Sequence, residues 1–342
     1  MRGPLRPGGV LAALGLIATI ATAAATVVLS GAATTAGART PVTGTVAAGR
    51  SESPARPALA VTPAPPPAGP VAGTADPSAL FVLYATSLQG AGPAHVVRLS
   101  RQGQVLASGG VLPDGSDLVR AGDSLWVAGG AVPAVFRLDP TRLLLRQRVD
   151  LPVPARTIAA TATAVWVGGP GRLARTPPRS GALTAAVPVD GEPTSLAADP
   201  AGRRLYAAAT TPQGTVVTER DARSGRLLAS RRLAPGTGHV AAVAGGVWVW
   251  QEDAAPPAMV RLHPGDLRPA ATAPAPRAPW VTGSLLWVAD RTTLSCADPL
   301  TGRVRATWAV PPPVRVLAAD PSRIALLAAG RVVVFSADPR CG

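Results

Sequence analysis

Five stretches decide how this chain is read: SLWVAGG at residues 124–130, AVWVGGP at 164–170, RLYAAAT at 204–210, GVWVWQE at 246–252 and LLWVADR at 285–291. Each is a short apolar run centred on an aromatic residue. Working outward, a similar centre recurs at both ends. The series is Tyr84, Trp126, Trp166, Tyr206, Trp248, Trp287 and Leu327, at intervals of 42, 40, 40, 42, 39 and 40 residues. A single Trp-Val pair carries no information. A sustained period near forty does, because it marks a unit that cannot bury its apolar face alone and stacks on its neighbours.

The units share an internal order. A short apolar stretch such as 194–198 or 240–243 comes first, then a turn and the marker strand. A loop leads to a third strand, as in VFRL at 135–138 or MVRL at 259–262. A turn such as DARSG at 221–225 or DPLTG at 298–302 leads to a fourth. Asp opening and Gly closing is turn chemistry, since Asp bonds its own backbone and Gly supplies positive φ. Strands of 4–6 residues, rich in Val, Leu and Trp and separated by Pro and Gly, predict an all-β chain. Four short strands per forty residues is a β-propeller blade, so the expectation is a seven-bladed propeller of four-stranded blades.

On these residues the repeat resembles the bacterial YVTN-type seven-bladed propellers, relatives of the virginiamycin-lyase-like repeats, in which an LWV strand precedes RID…TG. The resemblance covers residues 79–342 and implies the fold. Lyases of that group use paired His and Glu with a metal. This chain has no Glu-x-His or His-x-Glu pair, so their activity is not carried over and no metal is expected. The segment ADPLTGRVRATW at 297–308 also resembles the repeat of quinoprotein dehydrogenases. Their Trp falls eight residues after the Asp, where this chain has Ala306, and Trp308 lies two further on. No quinone or other cofactor is therefore expected.

The ends of the array are incomplete. The last unit aligns residues 336–342 with the third-to-fourth turn and so lacks its outer strand. The first unit, from Leu80, shows no first strand. Closing a ring must bring these two together, and residues 70–73 are available to complete one of them; a six-blade ring is the alternative. Cys296 and Cys341 are the only cysteines. An even number in an exported region predicts a disulfide, which would close 45 residues and stabilise by about 4 kcal/mol on the chain-entropy model.

Export is read from the N-terminus. Arg2 and Arg6 precede a run free of charge until Arg39, and its centre, residues 10–29, is 20 apolar or small residues. That length crosses a bilayer as a helix. Ala36-Gly37-Ala38 offers a small-x-small cleavage site as the alternative. Residues 39–77 hold nine prolines among Ala, Gly, Thr and Val, the composition of an extended linker reaching at most about 120 Å at roughly 3.1 Å per residue. The domain reading is a signal anchor or signal peptide at 1–38, a disordered Pro/Ala-rich linker at 39–77 and a propeller at 78–342. The chain is expected at the cell membrane, single-pass with an extracytoplasmic C-terminal domain, or secreted.

Composition adds bounds. Of 342 residues 47% are hydrophobic, enough for a sizeable core, and all 33 basic residues are Arg. The absence of Lys and Asn points to a very GC-rich, actinobacterial-type genome, which weakens any argument from Arg abundance. The net charge of +14 suits phosphate-bearing wall polymers or acidic lipid headgroups. The Arg residues are scattered without aromatic interleaving, so nucleic acid is not an expected partner and solubilising charge is the plainer reading.

No nucleophile elbow, phosphate loop or HExxH occurs. Blade topology sorts the remaining polar residues. Fourth-to-first and second-to-third loops share one rim, here the first, and the other loops share the second. The first rim receives His95, His239, Asp114, Asp117, Asp190, Glu192, Glu252, Asp253, Asp290 and Arg291; His263 falls on the second. Ligand sites of propellers usually occupy the first rim, by fold analogy. Trp250-Gln251-Glu252-Asp253 is the least repeat-like stretch, since other blades carry Ala128, Gly168, Ala208 and Ala289 where Trp250 stands. A Trp beside two carboxylates suits stacking on a sugar or pairing with a basic group; filling space between blades is the alternative. The binding candidates are His95, His239, Trp250, Gln251, Glu252, Asp253, Asp290 and Arg291. No catalytic residue is assigned. The expected function is a monomeric binding, sensing or scaffold module for a cell-envelope protein or glycan. A hydrolase or lyase at the first rim is the rival.

Overall fold

Every second strand is apolar along nearly its whole length, and in the computed structural model such strands are buried on both faces because each blade packs between two others. The structure describes residues 59–61, 69–85, 92–251, 258–274, 279–282, 285–290, 292–310, 312, 314–320, 323–328 and 331–336. They form seven antiparallel four-stranded sheets. Six run in chain order from inner to outer strand. Their inner strands are Gly69–Ala75, Asp117–Ala121, Thr157–Ala160, Glu192–Ala198, Gly238–Val243 and Pro279–Thr282. The seventh takes Val314–Asp320, Arg323–Ala328 and Arg331–Ser336 from the C-terminal end and Leu59–Val61 as its outer strand. All-β, seven-bladed and four-stranded is the architecture expected from the repeat, and the six-blade alternative falls.

The ring closes through residues expected as linker. Leu59–Val61 pairs antiparallel with the last strand, Leu59 opposite Val334 and Val61 opposite Val332. Gly69–Ala75 becomes the inner strand of blade 1, with Pro70 opposite Tyr84 and a bulge before Ala72. Pro70 is tolerated because an innermost strand has one edge without a ladder partner. One segment thus completes both incomplete blades, and the propeller starts well before residue 78. The apolar run at 10–29, the cleavage site and residues 39–58 lie outside the described residues. Among those described, no helix is long and apolar enough to cross a membrane. Cys296 is buried in the third strand of blade 6 and is not a free thiol; Cys341 lies outside the described residues.

The core is a circle of seven inter-blade clusters. Trp126 packs with Ile158, Val165 and Val167 of blade 3; Trp166 packs with Leu205 and Ala207 of blade 4. Tyr206, Trp248 and Trp287 repeat the contact with blades 5, 6 and 7. Each marker lies opposite a third-strand residue two positions before the turn, as with Trp126 and Arg137, or Trp248 and Arg261. That register corrects the alignment at both ends. Phe81, opposite Arg98, fills the marker position in blade 1, and Ala325, opposite Val334, fills it in blade 7. Tyr84 faces back toward blade 7, and Leu327 stands two residues along the strand from Ala325. Neither Phe81 nor Ala325 is the repeat's Trp, so spacing alone slid to the nearest bulky residue.

Markers and turns are matched in volume. The third-to-fourth turns close with an N–H to C=O bond across four residues, such as Gly225 to Asp221 and Leu267 to His263, both at or below 3.0 Å. The closing residue is left-handed, with φ of 76° at Gly225, 72° at Gly302, 57° at Leu143 and 54° at Leu267. Where the preceding blade presents Trp, the residue is Gly: a Cβ on Gly225 would stand 2.8 Å from Trp166, and one on Gly302 3.0 Å from Trp248. Where it presents Phe81 or Tyr206, buried Leu143 or Leu267 fills the space. The indoles also donate across the blade gap, Trp166 Nε1 to the Ala222 carbonyl at 2.9 Å and Trp248 Nε1 to that of Pro299 at 2.7 Å.

Candidate functional site

First-rim side chains start from the ends of inner strands and from second-to-third loops, as the blade topology requires. Asp117 opens the inner strand of blade 2, and its Oδ2 accepts from the Ile158 N–H at 3.1 Å and the Thr157 hydroxyl at 3.4 Å in blade 3. Asp114 is buried in the loop before it, accepting from the Gly115 and Ala131 N–H groups at 2.7 and 2.8 Å. Ser116 donates to the Ala155 and Arg156 carbonyls. Thr194 donates to the Gly238 carbonyl, and Ser195 bonds Val240, both across blades 4 and 5. Charge-assisted and neutral hydrogen bonds of this kind fix neighbouring inner strands at the channel mouth.

The two histidines are placed on blades 1 and 5, each against an aromatic ring of its own blade. His95 stacks on Tyr84 with centroids 5.2 Å apart and planes 10° apart. Burial lowers the His95 pKa from its ordinary value and pushes the Tyr84 hydroxyl up to about 12, because both charged forms lose hydration. His239 stacks on Trp250 at 5.2 Å and 19°. Trp250 is 8% exposed and belongs to the cluster between blades 5 and 6. Its ring packs in the space between these two blades. Gln251 Nε2 donates to the Ala234 carbonyl at 2.6 Å and Thr215 Oγ1 at 3.3 Å, pinning the loop before blade 5.

Asp290 lies in the second-to-third loop of blade 6, half-buried, with its N–H bonded to the Thr293 carbonyl at 2.8 Å. Glu252, Asp253 and Arg291 lie outside the described residues. Among those described, no group of His, Cys, Asp or Glu could hold a metal ion. The structure adds one exposed rim pair that spacing did not single out: Arg156 NH1 to Glu192 Oε1 at 2.6 Å, joining blades 3 and 4. Arg156 sits in an inter-blade loop and Glu192 opens the next inner strand. The packing of blade 4 on blade 3 brings them together.

Fold and rim geometry define a β-propeller. The fold is shared with BamB from Moraxella catarrhalis, at 16% identity and a TM-score of 0.53 over 78% of this chain and 84% of that one. It is shared with Kuenenia stuttgartiensis hydrazine synthase at 15% and 0.59, over 79% of this chain and 96% of that one. The WD40 domain of Neurospora crassa Pan2 gives 14% and 0.59, over 79% and 89%. Identities this low establish the fold alone. No protein-family model matches the sequence, and no curated protein matches it.

Proposed function

We propose that this chain is an extracytoplasmic binding or scaffold module that recognises a cell-envelope protein or glycan through its first rim. In this reading residues 10–29 hold it at the membrane of an actinobacterial-type cell, or cleavage after Ala38 releases it. The YVTN-type resemblance is compatible with such a role. The observation that carries the proposal is how first-rim polar groups are used. Asp114, Asp117, Thr194 and Ser195 fix one loop or blade to the next, and His95 and His239 are stacked on ring neighbours. A stitched, rigid rim with exposed Arg156 and Glu192 suits recognition by pre-organised contacts.

Thermal unfolding of the full chain against envelope glycans and phosphate polymers tests it, since a ligand that favours the folded state raises its stability. A saturable rise that Glu192→Gln or Arg156→Gln removes is the expected result. Turnover of any probe, abolished by His95→Gln or His239→Gln, would replace this reading with the hydrolase or lyase. We also take Cys296 and Cys341 to be bridged, because Cys296 is not a free thiol and Cys341 is the chain's only other cysteine. Alkylation of Cys341 in the native, unreduced protein would overturn the bridge.

A further inference from the structure

The second rim has a character of its own. Each third-to-fourth turn of blades 1 to 6 carries an exposed arginine: Arg101, Arg142, Arg179, Arg223, Arg268 and Arg303. Acidic residues share these turns: Asp139 is paired with Arg146, Asp298 with Arg305, and Asp266 with Arg268 of the six, while Asp221 accepts from the Ser224 N–H. Asp139 and Asp298 also accept backbone N–H bonds of their own turns. Immediately after or within the turns come exposed apolar residues: Val105 at 55%, Leu145 at 52%, Leu183 at 41%, Leu227 at 48% and Val304 at 54%. Four of them open outer strands. Their common position at the second-rim end makes an interrupted ring of apolar side chains interleaved with arginines.

The path of the chain gives this rim a direction. Leu59–Val61 occupies the outer position of blade 7, antiparallel to Arg331–Ser336. Its first residue therefore lies at the second rim and its last at the first. The chain thus enters the described fold at the second rim.

We propose that the second rim docks on the anionic surface of the bilayer that holds residues 10–29, turning the first rim outward. The location rests on the anchor reading above; the lipid chemistry rests on the rim. Arginines supply attraction to acidic headgroups, and the apolar residues suit the headgroup–acyl boundary. A random-coil tether of 29 residues, the length from 30 to 58, has a root-mean-square span of about 30 Å, so under the anchor reading the rim would be held at an effective concentration in the mM range. Weak contacts then suffice.

The test is hydroxyl-radical footprinting of the full chain on vesicles of phosphatidylglycerol and phosphatidylcholine, compared with phosphatidylcholine alone. Val111 is an internal reference: it is 80% exposed and stands at the first-rim end of the outer strand that Val105 opens. Labelling of Leu145, Leu227 and Val304 relative to Val111 should fall several-fold on the anionic vesicles only. It should return at about 0.5 M salt, where the screening length is a few ångströms. The combined variant Arg142→Gln, Arg223→Gln, Arg303→Gln should abolish the fall while leaving the melting temperature near that of the parent. An unchanged ratio, an equal fall on phosphatidylcholine, or protection of Val111 instead would overturn the proposal. So would equal protection by soluble polyphosphate, which would make the occupant a phosphate polymer. Flotation with phosphatidylcholine vesicles at high salt reads the anchor separately: a chain that fails to float but is still protected on anionic vesicles loses the anchor and keeps the rim.

Discussion

Leu143 and Leu267 hold a backbone conformation that glycine adopts without strain, at φ 57° and 54°. The strain persists because their side chains occupy space that a Trp fills in other blades. Leu143→Gly would relieve the backbone but leave a cavity beside Phe81, with a net cost of about 2 kcal/mol. Phe81→Trp alone would overpack the same gap and cost about 1–3 kcal/mol. The double variant should be more stable than the two losses added predict, by about 1 kcal/mol or more, in a denaturant double-mutant cycle. Strict additivity would show that the volume match plays no part. His95 gives a pH dependence at the same scale. Its folded pKa lies below the unfolded value of 6.5, so the unfolded chain binds the proton first. Stability should fall as pH drops through about 6.5 and His95→Phe should flatten that limb in thermal melts. A separate loss belongs between 3.8 and about 2, where turn hydrogen bonds and arginines hold the Asp139 and Asp298 carboxyls down. These stackings and volume matches were not legible in the sequence. They depend on cross-strand register to a single residue, and periodicity does not supply that.

At the scale of elements, the blades were legible because buried Trp strands and Asp-to-Gly turns recur together, each supplying half of one contact. Register was misread where Phe81 and Ala325 replace the Trp. Ala325 is buried, and a small residue at that position gave the pattern nothing to follow. Arg323, two residues before it, donates to the Asp76 carbonyl of blade 1 at 3.1 Å. The closing strand was hidden for another reason. Leu59-Ala60-Val61 is three residues in a Pro-rich stretch, and its conformation is set by a partner more than 270 residues away. Ala60→Pro should disrupt that ladder. Amides of Arg331–Ser336 should then exchange roughly tenfold faster or more while those of the blade 3 strands hardly change. Uniform loss of protection through all blades would show instead that the ring opens only as a whole.

For the whole molecule, the two rims share some of the polar work and divide the rest. Carboxylates stitch neighbouring blades at both, Asp117 at the first and Asp76 and Glu219 at the second, but the second also displays an arginine in each of six turns and is where Leu59 enters the fold. Topology made this sorting of His95, His239, Asp117 and Glu192 readable before any coordinate, because strand direction alternates without exception within a blade. What it could not place was Arg156 beside Glu192, which needs the packing of blade 4 on blade 3. The location also has a direct reading. If residues 10–29 anchor the chain as proposed, the protein keeps the mass of its full sequence and resists carbonate extraction; cleavage after Ala38 as proposed yields a species starting at Arg39. Fractionation of the producing cells followed by intact-mass measurement decides it, and a full-length chain found only in the soluble cytoplasmic fraction would overturn both.

The pairing of Leu59–Val61 with Arg331–Ser336 also orders events in time. During synthesis the strand made first must wait for the strand made last. Blades 1 to 6 can assemble on a growing chain as each is completed, since all four of their strands are contiguous. Blade 7 cannot form until residues 331–336 have emerged, and until then the earliest strand has no ladder to join. A nascent chain halted anywhere before that point, even with six blades in place, carries an unsealed edge at each end, open to pairing with a second such chain.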